Sequence, residues 1–150
     1  MTRNPDRRRV LAGLASLPVM LHMTPAFATP EAMAVAIDGF TGGAPLAEGG
    51  VTLTIPMLVE NGNSVPVTVE VDSPMTPEDH VTDIAVFNEL NPYPDTVRFK
   101  LTPALGKARV QTRIRLNETQ PVHAVARLSD GSYRTTRVNV IVTAPACREE

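Results

Sequence analysis

Few residues in this chain have side chains suited to covalent chemistry. There is one cysteine, Cys147, which stands three residues from the C-terminus, after Ala144-Pro145-Ala146 and before Arg148-Glu149-Glu150. A thiolate attacks sulfur electrophiles, and a cysteine on a terminal segment can carry a covalent adduct into another protein's pocket. Such a residue acts as an arm and not as an active site. A lone cysteine cannot close a disulfide within the chain or build an all-cysteine zinc site. Arg148 favours the thiolate, whereas Glu149, Glu150 and the terminal carboxylate oppose it and repel an incoming sulfur oxyanion, with salt screening much of the balance.

The other candidates are two histidines and a small carboxylate group. His80 lies in the polar turn Pro77-Glu78-Asp79-His80, and His123 lies in a strand-like stretch on the same face as Val125 and Arg127. Both read as surface histidines. Glu78, Asp79 and Asp83 read as solvating a turn, because a calcium site draws several oxygen ligands from a dedicated loop of defined spacing. No H-E-x-x-H, G-x-S-x-G, Walker or dinucleotide-binding pattern is present, so neither an enzyme nor a bound cofactor or metal is expected.

The composition narrows the partners. The 150 residues carry 14 Lys plus Arg against 16 Asp plus Glu, with 4% aromatic residues and no Trp. That is one domain's length. It lacks both the basic stripe and the stacking platform of a nucleic-acid surface.

Residues 1–28 read as an export signal. Arg3, Arg7, Arg8 and Arg9 precede a short apolar stretch that closes on Ala26-Phe27-Ala28, the three-part pattern of a cleavable leader. Arg7-Arg8-Arg9-Val10-Leu11 resembles the twin-arginine export signal. The apolar stretch, interrupted by Pro18 and Pro25, is too short for a spanning helix of about 20 residues, so no membrane anchor is expected. Cleavage after Ala28 would leave residues 29–150 as the working protein, more acidic than the precursor because four arginines depart with one aspartate.

The elements that must position Cys147 come next. Ala32, Met33, Ala36, Ile37 and Phe40 suit a short helix over 31–40, ended by Gly42-Gly43. Beyond it the period becomes two. Val65, Val67, Val69 and Val71 share one face against Pro66, Thr68 and Glu70. Similar patterns occupy 51–55, 81–87, 97–101, 110–116, 122–128 and 133–142. They are separated by Asn61-Gly62-Asn63, Ser73-Pro74, Asn91-Pro92-Tyr93-Pro94 and Asp130-Gly131, where Gly supplies positive φ and Pro pre-sets φ. About seven short strands without crossover helices predict an all-β chain, an immunoglobulin-like antiparallel β-sandwich over 29–143 with a short N-terminal helix. Its core would be built of Val, Ile, Leu and Ala, and its open edge could be covered by a partner subunit. Residues 144–150 form a cysteine-bearing tail.

Several stretches taken in order resemble the SoxY family, the sulfur-carrier subunit of the periplasmic sulfur-oxidation (Sox) system. They are Phe40-Thr41-Gly42-Gly43, Glu60-Asn61-Gly62-Asn63-Ser64-Val65-Pro66-Val67, Val71-Asp72-Ser73-Pro74-Met75, Thr102-Pro103-Ala104-Leu105-Gly106-Lys107-Ala108, Thr112-Arg113-Ile114-Arg115-Leu116 and Leu128-Ser129-Asp130-Gly131-Ser132, followed by the lone terminal cysteine. The resemblance covers essentially all of residues 29–150. It implies an immunoglobulin-like domain in a heterodimer with a SoxZ-like subunit. It also implies that Cys147 holds thiosulfate-derived sulfur while separate Sox enzymes add, cleave and oxidise it.

Family members end in Gly-Gly-Cys-Gly-Gly, a flexible and thin segment because glycine has no Cβ. Here Pro145 fixes one φ, and Arg148-Glu149-Glu150 adds bulk beyond the thiol. Only the cysteine carries over. The reading that follows is a periplasmic sulfur carrier, against the alternative of a SoxY-like structural or binding domain that has lost carrier chemistry.

Overall fold

The computed structural model of the chain describes residues 29–146. The expected signal peptide and Cys147 itself lie outside the described residues. The helix, α1, spans Pro30–Thr41. Its N-terminus is set by Thr29, whose Oγ1 accepts from the Ala32 N–H at 3.2 Å, with Pro30 in the first turn where a missing N–H costs nothing. Glu31 sits where the helix dipole favours a negative charge. Gly42, at φ 66°, ends the helix as expected, its N–H donating to Asp38 O at 2.7 Å.

Nine strands follow: β1 (Leu46–Glu48), β2 (Val51–Thr54), β3 (Leu58–Val59), β4 (Val65–Val71), β5 (Val81–Asn88), β6 (Asp95–Lys100), β7 (Arg109–Ile114), β8 (Gln120–Leu128) and β9 (Tyr133–Val142). A large sheet has the order β1-β9-β8-β5-β6, with β3 also paired to β9, and a small sheet has the order β2-β4-β7. Together they make the immunoglobulin-like sandwich. All seven expected strands are present. The two additional ones, β1 and β3, are three and two residues long and pair in parallel with β9, Leu46 beside Tyr133 and Leu58 beside Ile141. Pieces that short, beside Gly49-Gly50 and Pro56, hold too few residues for a period of two to show.

The main core lies between the sheets. Val65, Val67, Val69 and Val71 all face it, packed with Ile84, Val86, Leu116, Val122 and Val140. A second cluster joins the outer face of the large sheet to α1: Met33 and Ile37, one helical turn apart, pack with Ala85, Phe87, Val125 and Tyr133. This explains the unbroken apolar run from Ile84 to Phe87 in β5. Val81, before the register shift, faces the sandwich core, and beyond it Ile84 and Val86 face that core while Ala85 and Phe87 lie beneath the helix.

Candidate functional site

Cys147 follows directly on Ala146, so its position depends on how the chain leaves β9. It does so pinned. The Val142 N–H donates to Thr119 Oγ1 at 3.0 Å, and the Thr143 N–H and hydroxyl both donate to Val59 O, at 2.9 and 3.2 Å. Ala144 and Ala146 are held as well. Ala144 O accepts from the Gly62 N–H at 2.8 Å, and the Ala146 N–H donates to Leu116 O at 3.2 Å. Pro145 falls between these bonds, where no donor is required of it. Residues 144–146 therefore do not stand clear of the body as a tail beginning at 144 would. Ala146 is only 4% exposed.

The seat is made by two loops. In the 60–64 turn, Asn61 Oδ1 accepts from the Asn63 N–H at 3.0 Å, a side-chain mimic of a backbone turn. Gly62 accepts from the Leu116 N–H at 2.8 Å, which ties this turn to the β7–β8 loop. Gly62 is not among the positive-φ residues, so the expected conformational reason for this glycine does not hold. Its reason is space: a Cβ there would lie 2.2 Å from Leu116 O and 2.8 Å from Ala146 N. Gly131, at φ 85°, does have the positive φ expected of a turn glycine.

A buried polar network stiffens the β7–β8 loop. Asn91 Nδ2 donates to Arg115 O at 2.7 Å. Asn91 Oδ1 accepts from the Asn117 N–H at 3.2 Å and from Gln120 Nε2 at 3.3 Å, while Gln120 Oε1 accepts from the Leu90 N–H at 2.8 Å. Paired in this way, side chains that would be costly to bury hold the loop in one shape.

The two histidines lie elsewhere. His80 precedes β5, which runs in the same direction as β9, so it sits at the end of the sheet opposite the point where the chain leaves β9. Its Nδ1 lies 3.1 Å from Thr76 O; a carbonyl only accepts, so Nδ1 carries the proton. Asp79 is engaged in the same turn, its N–H donating to Thr76 Oγ1 at 3.1 Å. Among the described residues no group of three or more His, Cys, Asp and Glu is placed to hold a metal.

His123 pairs across the sheet with Phe87 and Arg137. It is not the plain surface histidine expected from the sequence, because α1 packs over the sheet beside it. It is half-buried and lines a cavity of about 530 Å³ with Met33, Ile37, Asp38, Glu48 and Arg137. Burial, followed by the Arg137 charge, holds its pKa below the usual 6.5. The unfolded chain therefore takes up a proton near pH 6.5 that the folded chain refuses until lower pH, and stability falls as pH drops through that window. Thermal melts between about pH 7.5 and 5.5 should show a smaller pH dependence for His123→Gln than for the parent. An unchanged slope would show that His123 does not drive it.

Comparison with known proteins places these features in context. A family model described as sulfur oxidation protein SoxY matches residues 37–147. Among solved structures, the sulfur carrier protein SoxY from Chlorobium limicola f thiosulfatophilum is 28% identical, with a TM-score of 0.63 over 75% of this chain and 97% of that one. A putative superoxide reductase from Thermotoga maritima is 19% identical, with a TM-score of 0.56 over 65% of this chain and 93% of that one. The superoxide reductase (neelaredoxin) from Ignicoccus hospitalis is 16% identical, with a TM-score of 0.56 over 63% and 80%. At those last two identities the likeness is one of fold alone. No curated protein matches the sequence.

Proposed function

The chain belongs to the SoxY family of sulfur oxidation proteins, and on that premise we propose that it is an exported, periplasmic sulfur carrier that holds thiosulfate-derived sulfur on Cys147. The observation that carries this reading is the position of the lone cysteine: the family match runs through the sandwich and closes on residue 147. The protein's part is presentation. Joining the Cys147 thiolate to the outer sulfur of thiosulfate forms an S–S bond and releases two electrons, which pass to a partner oxidoreductase. Cleavage and further oxidation of the adduct belong to other Sox enzymes, so the carrier itself is not an enzyme. The arginine-rich leader, residues 1–28, supports export by the twin-arginine route.

Intact-mass spectrometry tests the proposal. After incubation with thiosulfate and the partner enzymes, the protein should gain a sulfur-containing mass that dithiothreitol removes. An unchanged mass would favour the second reading, a SoxY-like binding domain without carrier chemistry. The observation on that side is the tail itself, Ala-Pro-Ala-Cys-Arg-Glu-Glu, which lacks the family's flanking glycines.

A SoxZ-like subunit is the proposed partner. Its support is an apolar group beside the base of the tail: Met57, Leu58 and Ile141 are 71%, 58% and 54% exposed, and Leu58 and Ile141 are paired neighbours on β3 and β9. Exposed apolar residues clustered in this way mark interaction surfaces. The double substitution Leu58→Asp, Ile141→Asp should weaken co-purification with the SoxZ-like subunit at least about tenfold while leaving the melting temperature within a few degrees. Undiminished association would place the interface on another surface.

A further inference from the structure

We infer that residues 144–146 form a docked neck seated by Gly62, and that this glycine is a positioning residue that sets how far Cys147 reaches. The inference extends the carrier reading and rests on it for its purpose, though not for its geometry.

The neck leaves β9 through a bend at Thr143-Ala144, with the Ala144 carbonyl and the Ala146 N–H both engaged and Pro145 placed where an N–H has no role. Both bonds run to groups at the Gly62 site, one to Gly62 itself and the other to Leu116, which Gly62 also binds. The approach is so close that any side chain at position 62 would collide with backbone, not with a yielding side-chain end. Nothing in the conformation of Gly62 demands glycine, so the closeness of the neck is what demands it.

The consequence for reach is arithmetic. An extended chain advances at most about 3.5 Å per residue. With the neck docked, Ala146 is the last of the described residues held by a hydrogen bond, and Cys147 is separated from it by one residue's span, at most about 3.5 Å. With the neck released, the anchor moves back to Thr143, and Cys147 is held to it by four residues of chain, a span of up to about 14 Å. A shallow partner site can be served from the docked state, whereas a deep pocket requires release. A glycine-flanked arm gains its reach from flexibility; this Ala-Pro-Ala arm gains it by undocking as a unit.

The test uses the full chain and its single natural cysteine. Amide exchange followed by NMR should show the Ala146 N–H protected in the parent. In Gly62→Ala that protection should fall at least about tenfold, while core amides such as those of Val125 and Ala126 keep theirs. A nitroxide on Cys147 should give a more mobile spectrum in the variant. Because Gly62→Ala presses on Leu116 as well, Ala146→Pro supplies a second route from the neck's own side: it removes the donor, puts a ring carbon where the N–H met Leu116 O, and should mobilise the label likewise. Equal Ala146 protection in parent and Gly62→Ala, or labels equally mobile in all three proteins, would overturn the docked neck. The neck and the carrier reading fail separately. Released labels with no sulfur adduct would leave the neck standing and remove the carrier, and a sulfur adduct on an Ala146 amide unprotected in the parent would do the reverse.

Discussion

Replacing Cys147 by Ser should abolish sulfur oxidation in cells that hold no other carrier, with the folded domain unchanged. A hydroxyl at position 147 keeps size and polarity but gives no thiolate, and an S–S bond cannot form without a second sulfur. The effect is a complete loss and not a graded one, because this is the chain's only cysteine and no neighbour can substitute for it. Thiosulfate consumption by such cells gives the answer. The melting temperature should stay within a degree or two of the parent, since Ser differs from Cys by one atom and the buried residues described end at Ala146. If Cys147→Ser cells oxidise thiosulfate normally, the domain serves as a binding or structural element.

The second large effect concerns stability. Phe87→Ala should destabilise the domain by roughly 3–5 kcal/mol, the usual range for emptying a large aromatic site. Phe87 is fully buried on the outer face of β5, under α1 and not between the sheets. Its ring meets that of Phe40 edge-on at 6.0 Å, and Phe40 in turn meets Tyr133 at 5.8 Å, so the three aromatics hold the helix to the sheet. Edge-on pairs of this kind contribute beyond their burial. Against a typical total of about 5–15 kcal/mol for a small domain, the loss is a large share. Urea denaturation measures it, and circular dichroism should show α1 loosening first. A cost below about 1 kcal/mol would mean that α1 contributes little to the fold.

What could be read from the sequence follows from how each element is buried. β4 was legible because one face of it meets the core and the other meets solvent or a polar rim, so its valines alternate. β5 was legible as a strand, but its second buried face was not, since its cover comes from a helix some forty residues earlier in the chain. The same packing decides His123. No local pattern reveals that α1 will lie beside it, and so its cavity and lowered pKa appear only in three dimensions.

The candidate site divides along the same line. Cys147 was legible because its chemistry is a property of residue type and chain position. The docking of residues 144–146 was not, because Asn61-Gly62-Asn63 carries the signal of a tight turn, and that signal points to a left-handed glycine. The structure uses the missing Cβ for close approach, a requirement set by a segment more than eighty residues away in sequence. Asn91 tells a similar story: it reads as part of a turn, yet its side chain is buried and bonded to Gln120.

The central claim is that sulfur is held covalently on Cys147 during turnover. The most direct measurement is a peptide map of the protein recovered from thiosulfate-oxidising cells, digested with trypsin. Cleavage after Arg137 and Arg148 yields residues 138–148, which contain the cysteine. The account predicts that this peptide carries a sulfur-containing mass lost on treatment with dithiothreitol. A peptide recovered only as the unmodified thiol, from cells actively consuming thiosulfate, would contradict it.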